Sequence, residues 1–167
     1  MRLFFALLPD ADASAQLANV AEKLTLESPG RLVKPDNYHV TLAFLGEVPN
    51  LQLAKWLQIG QTLRAPRCTI AFDALEYWPG PQVVAMIAQE SAAALELWRQ
   101  LRDAADLPRL PLRAHVTLAR KVAQAPVLQA MSVITWHANS VSLVRSETGG
   151  AESAYTVVDT WPLLYKP

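Results

Sequence analysis

Five consecutive residues occur twice in this chain, as His39-Val40-Thr41-Leu42-Ala43 and His115-Val116-Thr117-Leu118-Ala119, displaced by 115 − 39 = 76 residues. A chance five-residue identity has a probability on the order of one in a hundred or less, and here both copies fall on a predicted strand that follows a predicted helix. Duplication explains this better than coincidence. It constrains the chain to two related lobes inside a single domain, residues 1–167, with approximate repeat units 2–46 and 83–120.

The pattern around each copy repeats strand, helix, strand. Leu3 to Leu8 is an apolar run bounded by Pro9 and Asp10, and Leu17, Val20, Ala21 and Leu24 follow at helical spacing with Asp10 or Asp12 as the cap. Ser28-Pro29-Gly30 breaks that helix, and Tyr38 to Leu45 is a β-rich run closed by Gly46. Asn50 is placed to cap a helix carrying Leu53, Trp56, Leu57 and Leu63. Cys68, Ile70 and Phe72 then alternate as a strand, which ends in a turn at Trp78-Pro79-Gly80-Pro81. The order restarts with Val83 to Ile87, a helix bearing Ala94, Leu97, Trp98, Leu101 and Ala105 on one face, and the second copy of the motif. Strands near Ser140–Arg145 and Tyr155–Trp161, around Gly149-Gly150, complete the chain. The expected fold is α+β: two pseudo-symmetric lobes of antiparallel-rich sheet, helices packed outside, and a groove between the lobes.

Charge narrows what such a groove binds. The 15 Lys+Arg balance 15 Asp+Glu, so no broad positive field coats the surface and any phosphate contact rests on a few local cations. The single cysteine, Cys68, excludes an intramolecular disulfide and a Cys-based zinc site. No apolar run approaches the ~20 residues that cross a bilayer. The N-terminal run from Leu3 to Leu8 is shorter than the roughly 7–15 residues of a signal-peptide core and is followed at once by Asp10 and Asp12, so a buried strand and a cytoplasmic location are expected.

On a strand, residues i and i+2 share a face, so His39 projects with Thr41 and His115 with Thr117. Two lobes related by a pseudo-two-fold axis would bring two imidazoles and two hydroxyls to one groove. Histidine titrates near 6.5, so one ring can accept a proton while the other delivers one, each transfer typically contributing 10²–10⁴-fold. Hydroxyls donate well to the non-bridging oxygens of a phosphate. The inventory matches phosphodiester cleavage.

Paired His-x-Thr tetrads on equivalent strands of a two-lobed α/β fold resemble the 2H phosphoesterase superfamily, and within it the bacterial and archaeal RNA 2′,3′-cyclic phosphodiesterases, also called 2′-5′ RNA ligases. The resemblance runs from Arg2-Leu3-Phe4-Phe5-Ala6-Leu7, through Asn37-Tyr38-His39-Val40-Thr41-Leu42-Ala43-Phe44-Leu45-Gly46-Glu47-Val48, to His115-Val116-Thr117-Leu118-Ala119-Arg120 and the closing strands. It implies hydrolysis of a terminal RNA 2′,3′-cyclic phosphate to a 2′-phosphate with no cofactor and no metal, acting on a small RNA such as a tRNA fragment. It also implies His39 and His115 as acid and base, Thr41 and Thr117 as phosphate donors, and Arg120 as the cation that neutralises the phosphate. Strict alternation from His115 would turn Arg120 to the opposite face, so the strand is expected to end or bulge after Ala119. A monomer is expected.

Other readings compete with this one. A lone His-Val-Thr is ordinarily a half-buried strand histidine; the second copy reverses that balance. His137 has no partner copy and reads as structural, in a loop or at a strand edge. No His-x-His or His-Glu-x-x-His spacing occurs beside either motif, and no Gly-x-Ser-x-Gly elbow marks a serine hydrolase. Phe5 and Tyr38 are the candidates for stacking on a terminal base, and Lys34, Arg113 and Arg145 for contacts to flanking phosphates. RNA 2′-5′ ligation, a cyclic nucleotide or an ADP-ribose cyclic phosphate would use the same groups, and a non-catalytic RNA-end binding module would keep the groove without turnover.

Overall fold

A computed structural model describes residues 1–164 except 25, 27–29, 109–110, 129–130 and 148–153. The expected breaks at Ser28-Pro29 and at Gly149-Gly150 therefore lie outside the described residues. The chain opens with β1 (Arg2–Leu7), whose two faces are both buried: Leu3, Phe5 and Leu7 enter the main core, and Phe4 and Ala6 face Val144 on the other side. A strand covered on both faces has no polar side to alternate with, hence the unbroken apolar run. The α1 helix (Ala11–Glu22) starts at Asp10, whose carboxylate accepts from the Ala13 N–H at 2.8 Å, while Asp12 sits in the first turn where the helix dipole favours it. Its buried stripe is Ala13, Leu17 and Ala21.

A short β2 (Arg31–Leu32) and a 3₁₀ turn at Pro35–Asn37 lead into β3 (Val40–Glu47). Asn50 opens a second 3₁₀ turn instead of capping a helix, and α2 (Leu53–Thr62) begins after Gln52 with no side-chain cap. Then follow β4 (Cys68–Trp78), β5 (Val83–Ala88), and α3 (Ala92–Ala105), which Ser91 caps and Asp106 ends in the left-handed region at φ 51°. The chain closes with β6 (His115–Arg120), β7 (Ile134–Ala138), β8 (Ser140–Glu147) and β9 (Ala154–Pro162). His137 lies on the regular strand β7, where its Nδ1 meets the Thr69 hydroxyl at 3.2 Å.

These strands form two antiparallel sheets, ordered β3-β1-β8-β9 and β2-β6-β5-β4-β7. In each, the motif strand lies antiparallel to the strand that precedes its helix: β3 beside β1, and β6 beside β5. The sheets do not coincide with the chain halves. β8 and β9 return to complete the first sheet, and β2 crosses to the edge of the second. Helix α1 packs on β6 and β7, α2 on β8 and β9, and α3 against both β3 and β4. One hydrophobic core joins the sheets, running from Leu3, Phe5 and Leu7 to Val116, Leu118, Trp136 and Leu143. Gly60 lets α2 approach β9 closely, since a Cβ there would lie 2.3 Å from the Trp161 ring. The motif strands β3 and β6 contact one another where the sheets meet. Among the described residues no helix is long and apolar enough to cross a membrane.

Candidate active site

Both motif histidines are held by the same local device. His39 directly precedes β3, and its Nδ1 lies 2.8 Å from the Asn37 carbonyl; His115 opens β6, and its Nδ1 lies 2.7 Å from the Arg113 carbonyl. A carbonyl only accepts, so each Nδ1 carries the hydrogen and each Nε2 keeps its lone pair for chemistry. Thr41 and Thr117 follow two residues on. A cavity of about 190 Å³ is lined by His39, Thr41, His115, Thr117 and Arg120, together with Trp78, Pro81 and Val83.

Arg120 reaches that cavity because of a β-bulge. The β5–β6 register pairs Ala85 with Thr117 and Val84 with Ala119, leaving Leu118 as the extra residue. The slip reverses the alternation, so Arg120 returns to the face of His115 and Thr117. The bulge thus lies at Leu118, before Ala119, and not after it as expected. The same slip occurs in β3, where Ala6 pairs with Thr41 and Phe5 with Ala43, leaving Leu42 unpaired. Leu42 and Leu118 are equivalent, 76 residues apart. The residue that the first bulge turns toward the groove, equivalent to Arg120, is Phe44.

An adjoining cavity of about 270 Å³ lies on the His39 side, bounded by Arg2, Phe4, His39, Thr41, Phe44, Arg120, Ser146 and Tyr155. Phe44 is 49% exposed, with the Arg2 guanidinium 4.8 Å from its ring centroid. The His39 ring is 4.9 Å from Phe4 and 5.1 Å from Tyr155, the latter edge-on. Phe5, the expected stacking residue, is fully buried in the core 6.0 Å from Trp161, because the alternation of β1 turns Arg2 and Phe4, and not Phe5, to the groove. Tyr38 is also buried, and burial pushes its phenol up to about 12.

His115 has different company. Its ring meets Trp78 edge-on at 4.7 Å; the Trp78 indole donates to Glu76 at 2.7 Å; and Arg113, stacked 5.0 Å over Trp78, pairs with the same Glu76 carboxylate oxygen. Arg113 is therefore committed to this cluster. Arg145 pairs with Glu147 at 2.9 Å and lines none of these cavities, while Lys34 lines a small cleft beside Arg120.

Electrostatics separate the two rings. Burial pushes His39 down to about 4; its Asn37 hydrogen bond opposes this, and Arg120 and His115 add to the depression. Burial also lowers His115, against its Arg113 hydrogen bond and with help from the charges of Arg113 and Arg120. Both shifts favour the neutral imidazole. Among the described residues no group of three or more His, Cys, Asp or Glu side chains is placed to hold a metal ion.

Sequence reasoning did not single out Phe44, Tyr155, Trp78, Arg2 or Phe4 as groove residues. The first had a signal, since adding the 76-residue offset to Phe44 gives Arg120; the others depend on which strands become neighbours.

Two His-x-Thr pairs converging between two antiparallel sheets define a phosphoesterase of the two-histidine class. Residues 7–87 match the family described as LigT-like phosphoesterase. The chain is 31% identical to an RNA 2′,3′-cyclic phosphodiesterase of Thermus thermophilus, the alignment spanning 98% of this chain and 90% of the relative. It is 27% identical to the Escherichia coli protein of the same name, over 97% of this chain and 96% of that one. The crystal structure of E. coli LigT complexed with 3′-AMP superposes with a TM-score of 0.85 at 30% identity, covering 97% of each chain. The chain belongs to the LigT-like phosphoesterase family, within the 2H phosphoesterase superfamily.

Proposed function

We propose that this protein hydrolyses the 2′,3′-cyclic phosphate at an RNA end to a 2′-phosphate, by acid–base catalysis between His39 and His115. The observation that carries the reading is the shared cavity: two imidazoles with Nδ1 tied back, two hydroxyls and one guanidinium line a single space of about 190 Å³. The names of the relatives supply the substrate.

The cyclic phosphate sits between the histidines, its non-bridging oxygens accepting from Thr41 and Thr117 and facing Arg120. The nucleoside takes the cavity on the His39 side, its base against the exposed ring of Phe44. Its 3′ oxygen then lies beside His39, which protonates it as it leaves, while His115 Nε2 takes a proton from water entering on the opposite side. In the free protein His39 is too acidic for that task. The phosphate's negative charge offsets Arg120 and favours the charged imidazole, so substrate binding raises its pKa.

The test is incubation, in EDTA, with a short RNA ending in a 2′,3′-cyclic phosphate. Conversion to a 2′-phosphate, identified by mass and by phosphatase sensitivity, supports the reading. An unchanged end, or a 3′-phosphate product, refutes it.

A further inference from the structure

We propose that Trp78 selects the nucleophile: it fills the place beside His115 that a second nucleoside would need, so that water reaches the cyclic phosphate and an RNA 5′-hydroxyl does not. The inference rests on the RNA-end reading above, with His115 as the base, and deepens it by naming the residue that favours hydrolysis over transfer to a second RNA.

Three observations converge. First, the strand registers match the two halves of the groove residue by residue. Ala6 pairs with Thr41 and Phe4 with Phe44; Ala85 pairs with Thr117 and Val83 with Arg120. Phe4 and Val83 are therefore equivalent. On their other sides Phe4 pairs with Val144 and Val83 with Trp78, so Trp78 stands in the His115 half where Val144 stands in the His39 half. Val144 is buried against Phe4 and Ala6, and the His39 half keeps a cavity of about 270 Å³ bounded by Phe4 and Phe44. In the His115 half an indole replaces the isopropyl group and occupies the corresponding space.

Second, the indole is pinned. Its Nε1 donates to the Glu76 carboxylate at 2.7 Å, the Arg113 guanidinium lies 5.0 Å over its ring and pairs with the same carboxylate, and the His115 ring meets it edge-on at 4.7 Å. Swinging Trp78 aside would break a hydrogen bond to a charged acceptor, which is among the strong ones.

Third, the space that remains suits water. The cavity that Trp78, Pro81 and Val83 close is about 190 Å³ and spans both histidines, so the reacting phosphate itself takes part of it. A water occupies about 30 Å³. A nucleoside, given about 270 Å³ on the His39 side, does not fit in what is left. The cavity of about 500 Å³ beside α3 has Arg113 in its wall and shares no lining residue with this one; the stack of Arg113 on Trp78 lies between the two.

Hydrolysis and transfer are the same displacement. The oxygen of the nucleophile bonds to phosphorus, its proton passes to His115 Nε2, the P–O3′ bond breaks and His39 protonates the 3′ oxygen. Water yields a 2′-phosphate; an alcohol yields a 2′-phosphodiester.

The experiment measures initial partitioning of a short RNA ending in a 2′,3′-cyclic phosphate between water, methanol and 2′,3′-dideoxyuridine, whose one hydroxyl is the 5′. Products are separated by mass. Per mole of alcohol, the wild-type protein should transfer to the nucleoside at least about tenfold less than to methanol, since steric exclusion from a tight pocket reaches that size. Trp78→Val, which copies the residue of the other half, should raise the nucleoside-to-methanol ratio by about tenfold or more; Trp78→Leu should raise it less, and Trp78→Phe should hold it near wild type. Mere loss of His115 positioning slows both transfers alike and leaves their ratio unchanged. A wild-type ratio near one, or a ratio unmoved in both Trp78→Val and Trp78→Leu, overturns the inference while leaving the hydrolase intact. No turnover of the RNA by the wild-type protein overturns the hydrolase reading and the inference with it.

Discussion

The His39 half and the His115 half of the groove share a frame and differ in what surrounds it. In each, an imidazole Nδ1 is tied to the carbonyl two residues upstream, a threonine follows at i+2, and a bulge at i+3 turns the residue at i+5 to the groove. The residue delivered is Phe44 in one half and Arg120 in the other. Around His39 lie Phe4 and Tyr155, an aromatic wall; around His115 lies Trp78, held by the ion pair of Glu76 and Arg113. The frame presents two imidazoles in the same way, and on the proposed reading the different surroundings assign them different proton transfers. The matched bulges support reading the two units as copies of one ancestor, since a bulge at the same residue is a detail that α+β packing alone does not demand.

The largest expected effect tests the shared frame. His39→Ala and His115→Ala should each lower kcat by at least ~10²-fold with circular dichroism and melting temperature little changed. A near-normal rate in either would break the pairing. The next prediction uses the divergent equivalents. Arg120→Ala should lower kcat by about 10²-fold or more by removing charge from the reacting phosphate, whereas Phe44→Ala should act mainly on KM. The comparison fails if steady-state kinetics show the two substitutions changing the same parameter.

The depressed imidazoles set the pH dependence. Each is lowered in the free protein, so protonation that the usual histidine would complete near 6.5 is postponed to more acid solution, toward about 4 for His39. A pair needing one proton is best poised between its two values, so the kcat/KM optimum should lie below pH 6.5, and the kcat optimum higher because bound phosphate raises both. An optimum in kcat/KM above pH 7 would contradict this. The smallest effect concerns the His115 half alone. Glu76→Gln removes the negative charge that compensates Arg113, so the limb belonging to His115 should move to lower pH, with a fewfold loss of kcat.

Much of this was legible in the chain because the repeat is exact over five residues. His39, Thr41, His115 and Thr117 follow from period-two alternation within a strand, which needs no knowledge of neighbouring strands. Arg120 required a bulge, whose need could be argued but whose position at Leu118 depends on pairing with β5. Phe5 was misplaced because β1 is apolar on both faces, so nothing in its sequence says which face meets the groove. Tyr155 and Trp78 come from β9 and β4, which reach the groove only through long-range pairing. That pairing, with β8 and β9 returning to the first sheet and β2 crossing to the second, leaves no local trace.

The measurement that bears most directly on the division of labour replaces the leaving group. A 3′-deoxynucleoside 2′-phosphodiester of p-nitrophenol keeps the P–O2′ bond and expels, in place of the 3′ oxygen, an anion that needs no proton, so the acid becomes dispensable and the base does not. If His39 is the acid, His39→Ala should recover most of its lost rate on that substrate while His115→Ala stays impaired. Equal rescue of both variants, or rescue of His115→Ala alone, would contradict the account.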